Sequence, residues 1–135
     1  MNEMERARLT LPARPESAGR ARQWVGEVLE AHDLIHLIDT AALLVSELVT
    51  NALRHSGGPY EIQVGVGPTS ATISVTDGEG GRPRRRGTAA SIRRERGGDL
   101  SETGRGLLLV GALSDGWGWQ VTAGGKRVWF RLTIA

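Results

Sequence analysis

Residues 39–55 carry the feature that most limits what this chain can fold into. The segment DTAALLVSELVTNALRH has helical length and runs into Gly57-Gly58-Pro59, a strong stop signal. It is apolar nearly all round, so a helix here has little solvent face and must be covered on more than one side. The chain has 135 residues, about one domain's worth, and is read as a single domain, 1–135. The cover must therefore come from one sheet and one or two other helices.

Strands for that sheet are legible on both sides. Residues 7–11 alternate apolar with polar and stop at Pro12, a short strand. Ala18, Ala21, Trp24, Val25, Val28 and Leu29 then recur at helical spacing, predicting a first helix through about residue 31. Residues 60–66 alternate around Ile62, Val64 and Val66, and Pro68-Thr69-Ser70 makes a turn. The next strand puts Ala71, Ile73, Val75 and Asp77 on one face. A helix at 107–113 precedes a second hairpin, with Trp117, Trp119 and Val121 on one strand. Val128, Phe130, Leu132 and Ile134 lie on the other, across Gly124-Gly125. Strands arriving in adjacent pairs argue against a doubly wound fold. The expectation is α+β, a two-layer sandwich with a mixed, mostly antiparallel sheet and its helices on one face.

Between Asp77 and the third helix, residues 78–103 show no periodicity and hold six Gly. A connection this long inside a small domain reads as a functional lid or a disordered segment. It contains seven Arg against four acidic residues, whereas the whole chain has a net charge of only +2. The excess positive charge is thus local, suited to handling an anionic group at one place and not to general nucleic-acid binding. The chain has no cysteine, which excludes disulfides, a thiol nucleophile and a Cys-ligated metal. No unbroken apolar run approaches the ~20 residues of a membrane span, and MNEMERARLT lacks a signal peptide's apolar stretch. A cytoplasmic protein with no membrane partner is expected.

Four places carry candidate chemistry. Glu47 and Asn51 are four apart in the apolar helix and share a face. Either that face is solvated, or the two form an oxygen-ligand site for Mg²⁺, with Asn51 as ligand and Glu47 as base. Asp77 continues a core face at a strand end. It caps the Gly-rich turn that follows or accepts a hydrogen bond from an amine such as adenine's. Gly104-Arg105-Gly106-Leu107 opens a helix, as a plain entry turn or as a place where free N–H groups meet phosphate. His32 and His36, four apart, lack a nearby third ligand and read as a helix end or loop. Trp117, Trp119 and Trp129 read as sheet packing.

SELVTNALRHS, a strand ending VTDGEGG, a long lid and GRGLLLV together resemble the GHKL (Bergerat-fold) nucleotide-binding superfamily. Within it, the chain is similar to the small stand-alone anti-sigma-factor serine/threonine kinases of bacterial partner-switching systems. The resemblance covers roughly residues 7–134 and includes the LPARPESAGRARQWV opening and the GGKRVWFRL ending. It implies ATP and Mg²⁺ as cofactors, Asn51 as the metal ligand and Glu47 as the catalytic base. It also implies Asp77 as the adenine-recognising group, and Gly80, Gly104, Arg105, Gly106 and Leu107 around the nucleotide. The implied partners are a sigma factor and an anti-sigma-factor antagonist, and related kinases suggest a homodimer. His55 matches a position after the Asn but reads better as helix packing.

The chain departs from the pattern where the usual D-x-G-x-G becomes D-G-E-G-G, with Glu79 at the first motif glycine. It departs again where Lys126 stands near the position of a last-strand Thr. These two departures keep open an alternative, a nucleotide-responsive or nucleotide-independent protein-binding module without kinase activity. A detached histidine-kinase catalytic domain would need another protein to supply the phosphorylatable His. Duplex binding through the Arg lid is disfavoured by the low net charge and the absence of aromatic residues there.

Overall fold

The computed structural model of the chain describes residues 5–55, 58–77, 87–88, 105–122 and 125–135. Strand β1 (Glu5–Leu11) leads into helices α1 (Ser17–Ala31) and α2 (Ile38–His55), which a 3-10 turn at Ile35–Leu37 joins. A hairpin of β2 (Tyr60–Val66) and β3 (Ser70–Asp77) follows. Beyond it lie the two-residue β4 (Gly87–Thr88), helix α3 (Arg105–Leu113), and the hairpin of β5 (Gly116–Thr122) and β6 (Gly125–Thr133). The sheet order is β1-β2-β3-β6-β5-β4.

Every described pairing is antiparallel, in keeping with the expected α+β sandwich and its mostly antiparallel sheet. The reason is the helix pair. α1 carries the chain away from the end of β1 and α2 brings it back, so β2 starts where β1 stopped, with Leu11 opposite Tyr60. A single crossover helix would have delivered a parallel strand instead.

Register stacks the apolar residues in rows across the sheet: Ile62, Val75 and Val128, then Val64, Ile73 and Phe130, then Val66, Ala71 and Leu132. α2 lies over these rows, burying Ala41, Leu44, Val45, Leu48, Val49 and Ala52. α1 covers one flank of α2 through Ala21, Val25 and Leu29, which recur every fourth residue. α3 covers the other flank and contributes the fully buried Val110. Only a stripe of α2 that includes Leu43, Thr50 and Arg54 reaches solvent.

Residues 35–54 are long and apolar enough to cross a membrane, a match that counting unbroken apolar runs overlooks. Leu37, Leu44, Val45, Leu48 and Val49 of this stretch are buried in the core, whereas Ile35 and Leu43 are exposed. α3 is drawn onto β5 by a missing side chain: a Cβ at Gly111 would stand 2.8 Å from the Trp117 indole nitrogen, so the ring tucks under the helix there.

Candidate functional site

Three elements end at the same edge of the sandwich, the one marked by Asp77. Tyr60 pairs with Asp77, so the return from α2 into β2 lies there. β6 starts there as well, since Thr76 pairs with Arg127. α3 begins there too. Its far end is pinned at the opposite edge, where the Asp115 N–H donates to the Arg131 carbonyl at 2.8 Å and the Thr133 N–H donates to Asp115 Oδ2 at 2.6 Å. The last turn of α2, the end of β3, the start of β6 and the N-terminus of α3 therefore share one end of the molecule.

Asn51 belongs to the last full turn of α2. Arg22 of α1 donates to Ser46 Oγ at 3.2 Å, which marks the α1 flank of the helix. Asn51, about 140° further round, lies on the other flank, toward α3. It is 6% exposed, and its carbonyl oxygen Oδ1 is fully buried without a hydrogen-bond partner among the described residues. Leaving such an acceptor unmatched costs about 1–3 kcal/mol. Glu47 lies one turn earlier, half-buried, so the reading of a wholly solvated face is wrong for Asn51 and holds in part for Glu47.

Asp77 is 5% exposed and faces the helix layer with Val75 and Ile73. Its Oδ1 accepts the Lys126 main-chain N–H at 3.1 Å, which fixes the carboxylate and leaves its second oxygen for another donor. It is held across strands by β6, while the Gly-rich segment that follows it lies outside the described residues. Lys126 lies on the same face of the sheet as Val128 and Phe130, so the residue that departs from the family pattern stands beside Asp77. Tyr60 is next to Asp77 on β2, and burial pushes its phenol up from the usual value.

Gly125, which the Gly-Gly pair predicts only as part of a hairpin turn, lies against Asp77. A Cβ there would collide with the Asp77 main-chain oxygen and lie 2.6 Å from Asp77 Oδ1. The contact joins residues far apart in sequence, and the Gly-Gly pair gives no sign of it.

Arg105, Gly106 and Leu107 form the first turn of α3, at the Asp77 end. Gly80, Gly104 and, apart from β4, the lid 78–103 lie outside the described residues. His55 is the last residue of α2. The two other histidines do not converge: His32 bonds the Val28 carbonyl and Glu5, while His36 bonds the Ile134 carbonyl. Trp117 and Trp119 pack on the helix side and Trp129 faces the other way, opposite Ser74.

The arrangement can take a cation and an anion together. Among the described residues no cluster of three or more His, Asp or Glu could enclose a metal. The donor present is a single hard carbonyl oxygen, which suits Mg²⁺, an ion that keeps waters and phosphate oxygens in the rest of its shell. The N–H groups of the first turn of α3 lack helical partners and attract phosphate. A family model for the histidine kinase-like ATPase domain matches residues 11–132. A search of curated proteins finds no match.

Proposed function

Because the chain belongs to the histidine kinase-like ATPase domain family, we propose that its Asp77 end holds Mg-ATP and that it phosphorylates a serine on an anti-sigma-factor antagonist. In this reading the protein is cytoplasmic, works as a homodimer, and also sequesters a sigma factor. The observation that carries the reading is the buried, unmatched Oδ1 of Asn51, an oxygen whose desolvation is offset once it meets a cation.

Each residue then has a task. Asn51 Oδ1 holds Mg²⁺, which when bound neutralises charge on the phosphates. Asp77 accepts the adenine amine on the oxygen that Lys126 leaves open. The α3 N-terminus, with Arg105, Gly106 and Leu107, lies along the phosphates, and Gly80 and Gly104 line the pocket. Glu47, on the same side of α2 as Asn51, takes the proton from the attacking serine hydroxyl. The serine oxygen bonds to the γ-phosphorus as the bond to the β-phosphate oxygen breaks, and ADP leaves.

The test is Glu47→Ala, using an antagonist recovered by pull-down from the native cytoplasm. Phosphotransfer should fall by about 10²-fold or more while Mg-ATP affinity stays within about threefold. Transfer at the wild-type rate would sink the catalytic assignment. ATP binding with no transfer by wild type would favour the alternative, a nucleotide-responsive binding module, to which Lys126 beside Asp77 already points. Failure of wild type to bind Mg-ATP would leave only the nucleotide-independent form.

A further inference from the structure

The face of the sheet away from the helices has no part in the nucleotide reading, yet it concentrates charge. Arg6 and Arg8 on β1 and Arg127 and Arg131 on β6 share it, against one carboxylate, Glu61, among the described residues of the long strands. A depression of about 300 Å³ opens on this face, lined by Arg6, Gln63, Gly65, Thr72, Ser74 and Arg127. Its floor has a simple origin. Gly65 stands between Arg6 and Thr72 in the register and has no side chain to fill the space.

Two observations show that the depression is costly as it stands. Ser74 is 1% exposed, and its hydroxyl has no hydrogen-bond partner among the described residues. Arg127 is desolvated and feels the charge of Arg6, and both effects disfavour its guanidinium. Two like charges lining one depression with a buried, unmatched hydroxyl oppose folding unless something of opposite sign joins them.

We propose that this depression binds an oxyanion, a phosphate or carboxylate group, gripped by the guanidiniums of Arg6 and Arg127 and receiving a hydrogen bond from the Ser74 hydroxyl. A guanidinium meets either group with paired N–H donors, and charge-assisted bonds of this type are the strong ones. The site lies on the opposite side of the sheet from Asn51 and Asp77, so it is distinct from the place proposed for the nucleotide.

The experiment is an amide NMR titration of the full chain with inorganic phosphate at constant ionic strength, and a parallel titration with succinate. Saturable shifts are expected at Gly65, Thr72, Ser74 and Arg127, with a dissociation constant on the order of 1 mM. Arg6→Gln and Arg127→Gln should each weaken binding about tenfold, and Ser74→Ala about threefold. Arg6→Gln, at an exposed edge position, should fold normally and leave ATP affinity unchanged. Tighter binding of phosphate or of succinate identifies the source of the oxyanion, and either supports the site. Absence of saturable shifts at these amides with both anions overturns it, as does phosphate binding that neither arginine variant weakens.

Discussion

Gly125 presses against Asp77 so closely that no side chain fits between them. The start of β6 is thereby brought within reach of the carboxylate, and the Lys126 amide can donate to it. Gly125→Ala should force the strands apart, at a cost of about 1–3 kcal/mol for an overpacked buried position. Urea unfolding should report that loss. A titration with ADP should show weaker binding, because the Lys126 bond that orients Asp77 goes with it. Retained stability would mean that the hairpin end relaxes freely and that Gly125 does not position Asp77.

Asn51 leads to an opposite pair of effects. Replacing a buried, unmatched carboxamide with an apolar side chain of similar size removes its desolvation cost without opening a cavity. Asn51→Leu should therefore raise the stability of the nucleotide-free protein, by about 1 kcal/mol. In the proposed site the same change removes the carbonyl oxygen assigned to Mg²⁺, so Mg-dependent ATP binding should disappear. Calorimetry with Mg-ATP and thermal unfolding without nucleotide test the two halves separately. A variant that is less stable and still binds Mg-ATP would contradict both.

These two residues also show what could be read before the coordinates. Asn51 stands out in the sequence because its neighbours on α2 are Leu, Val and Ala. Helical period left open whether the face it shares with Glu47 is solvated, and burial of Asn51 is seen only in the fold. The two hairpins were legible from a period of two in residues 60–77 and 117–134. The contact between Gly125 and Asp77 was not, because it depends on β6 returning beside β3 after a long excursion, and local composition carries no record of that. The open-face arginines were equally hidden. On strands, an outward Arg every second residue looks like ordinary solvation, and only the folded sheet shows that Arg6, Ser74 and Arg127 line one depression.

His32 links α1 to β1 and gives stability a dependence on pH. Its Nδ1 lies 2.9 Å from the Val28 carbonyl and its Nε2 lies 2.7 Å from Glu5 Oε1. Both neighbours are acceptors, so both ring nitrogens can donate only when the imidazole is protonated. The Val28 bond, chiefly, and then Glu5 raise its pKa above 6.5. The contribution is thus fully present below the unfolded value and is lost as pH rises through the folded one. Glu5 is exposed, so the gain stays below about 1 kcal/mol. The Tm difference between wild type and His32→Gln should be larger at about pH 5.5 than at about pH 8.5. An equal difference at both would show that the ring packs without charge.

Asp115 gives the reverse dependence at the far end of α3. Its carboxylate accepts the Thr133 N–H at 2.6 Å, and the Thr133 hydroxyl and Arg131 add to the effect, holding its pKa below the usual aspartate value. Stability from this group is present above the unfolded pKa and is lost as pH falls through the folded one. Wild type should therefore lose urea resistance between about pH 4 and about pH 2.5 in a way that Asp115→Asn does not. Hydrogen exchange supplies a second reading, since the Thr133 amide should exchange faster in the variant at neutral pH. The anchor matters for the site because it fixes where α3 ends, and a rigid helix of nine residues then has its N-terminus placed at the Asp77 end. If Asp115→Asn loosens Thr133 while nucleotide affinity stays the same, Val110 and the Trp117 ring under Gly111 suffice to hold the helix. If affinity falls with it, the first turn of α3 is positioned from its opposite end.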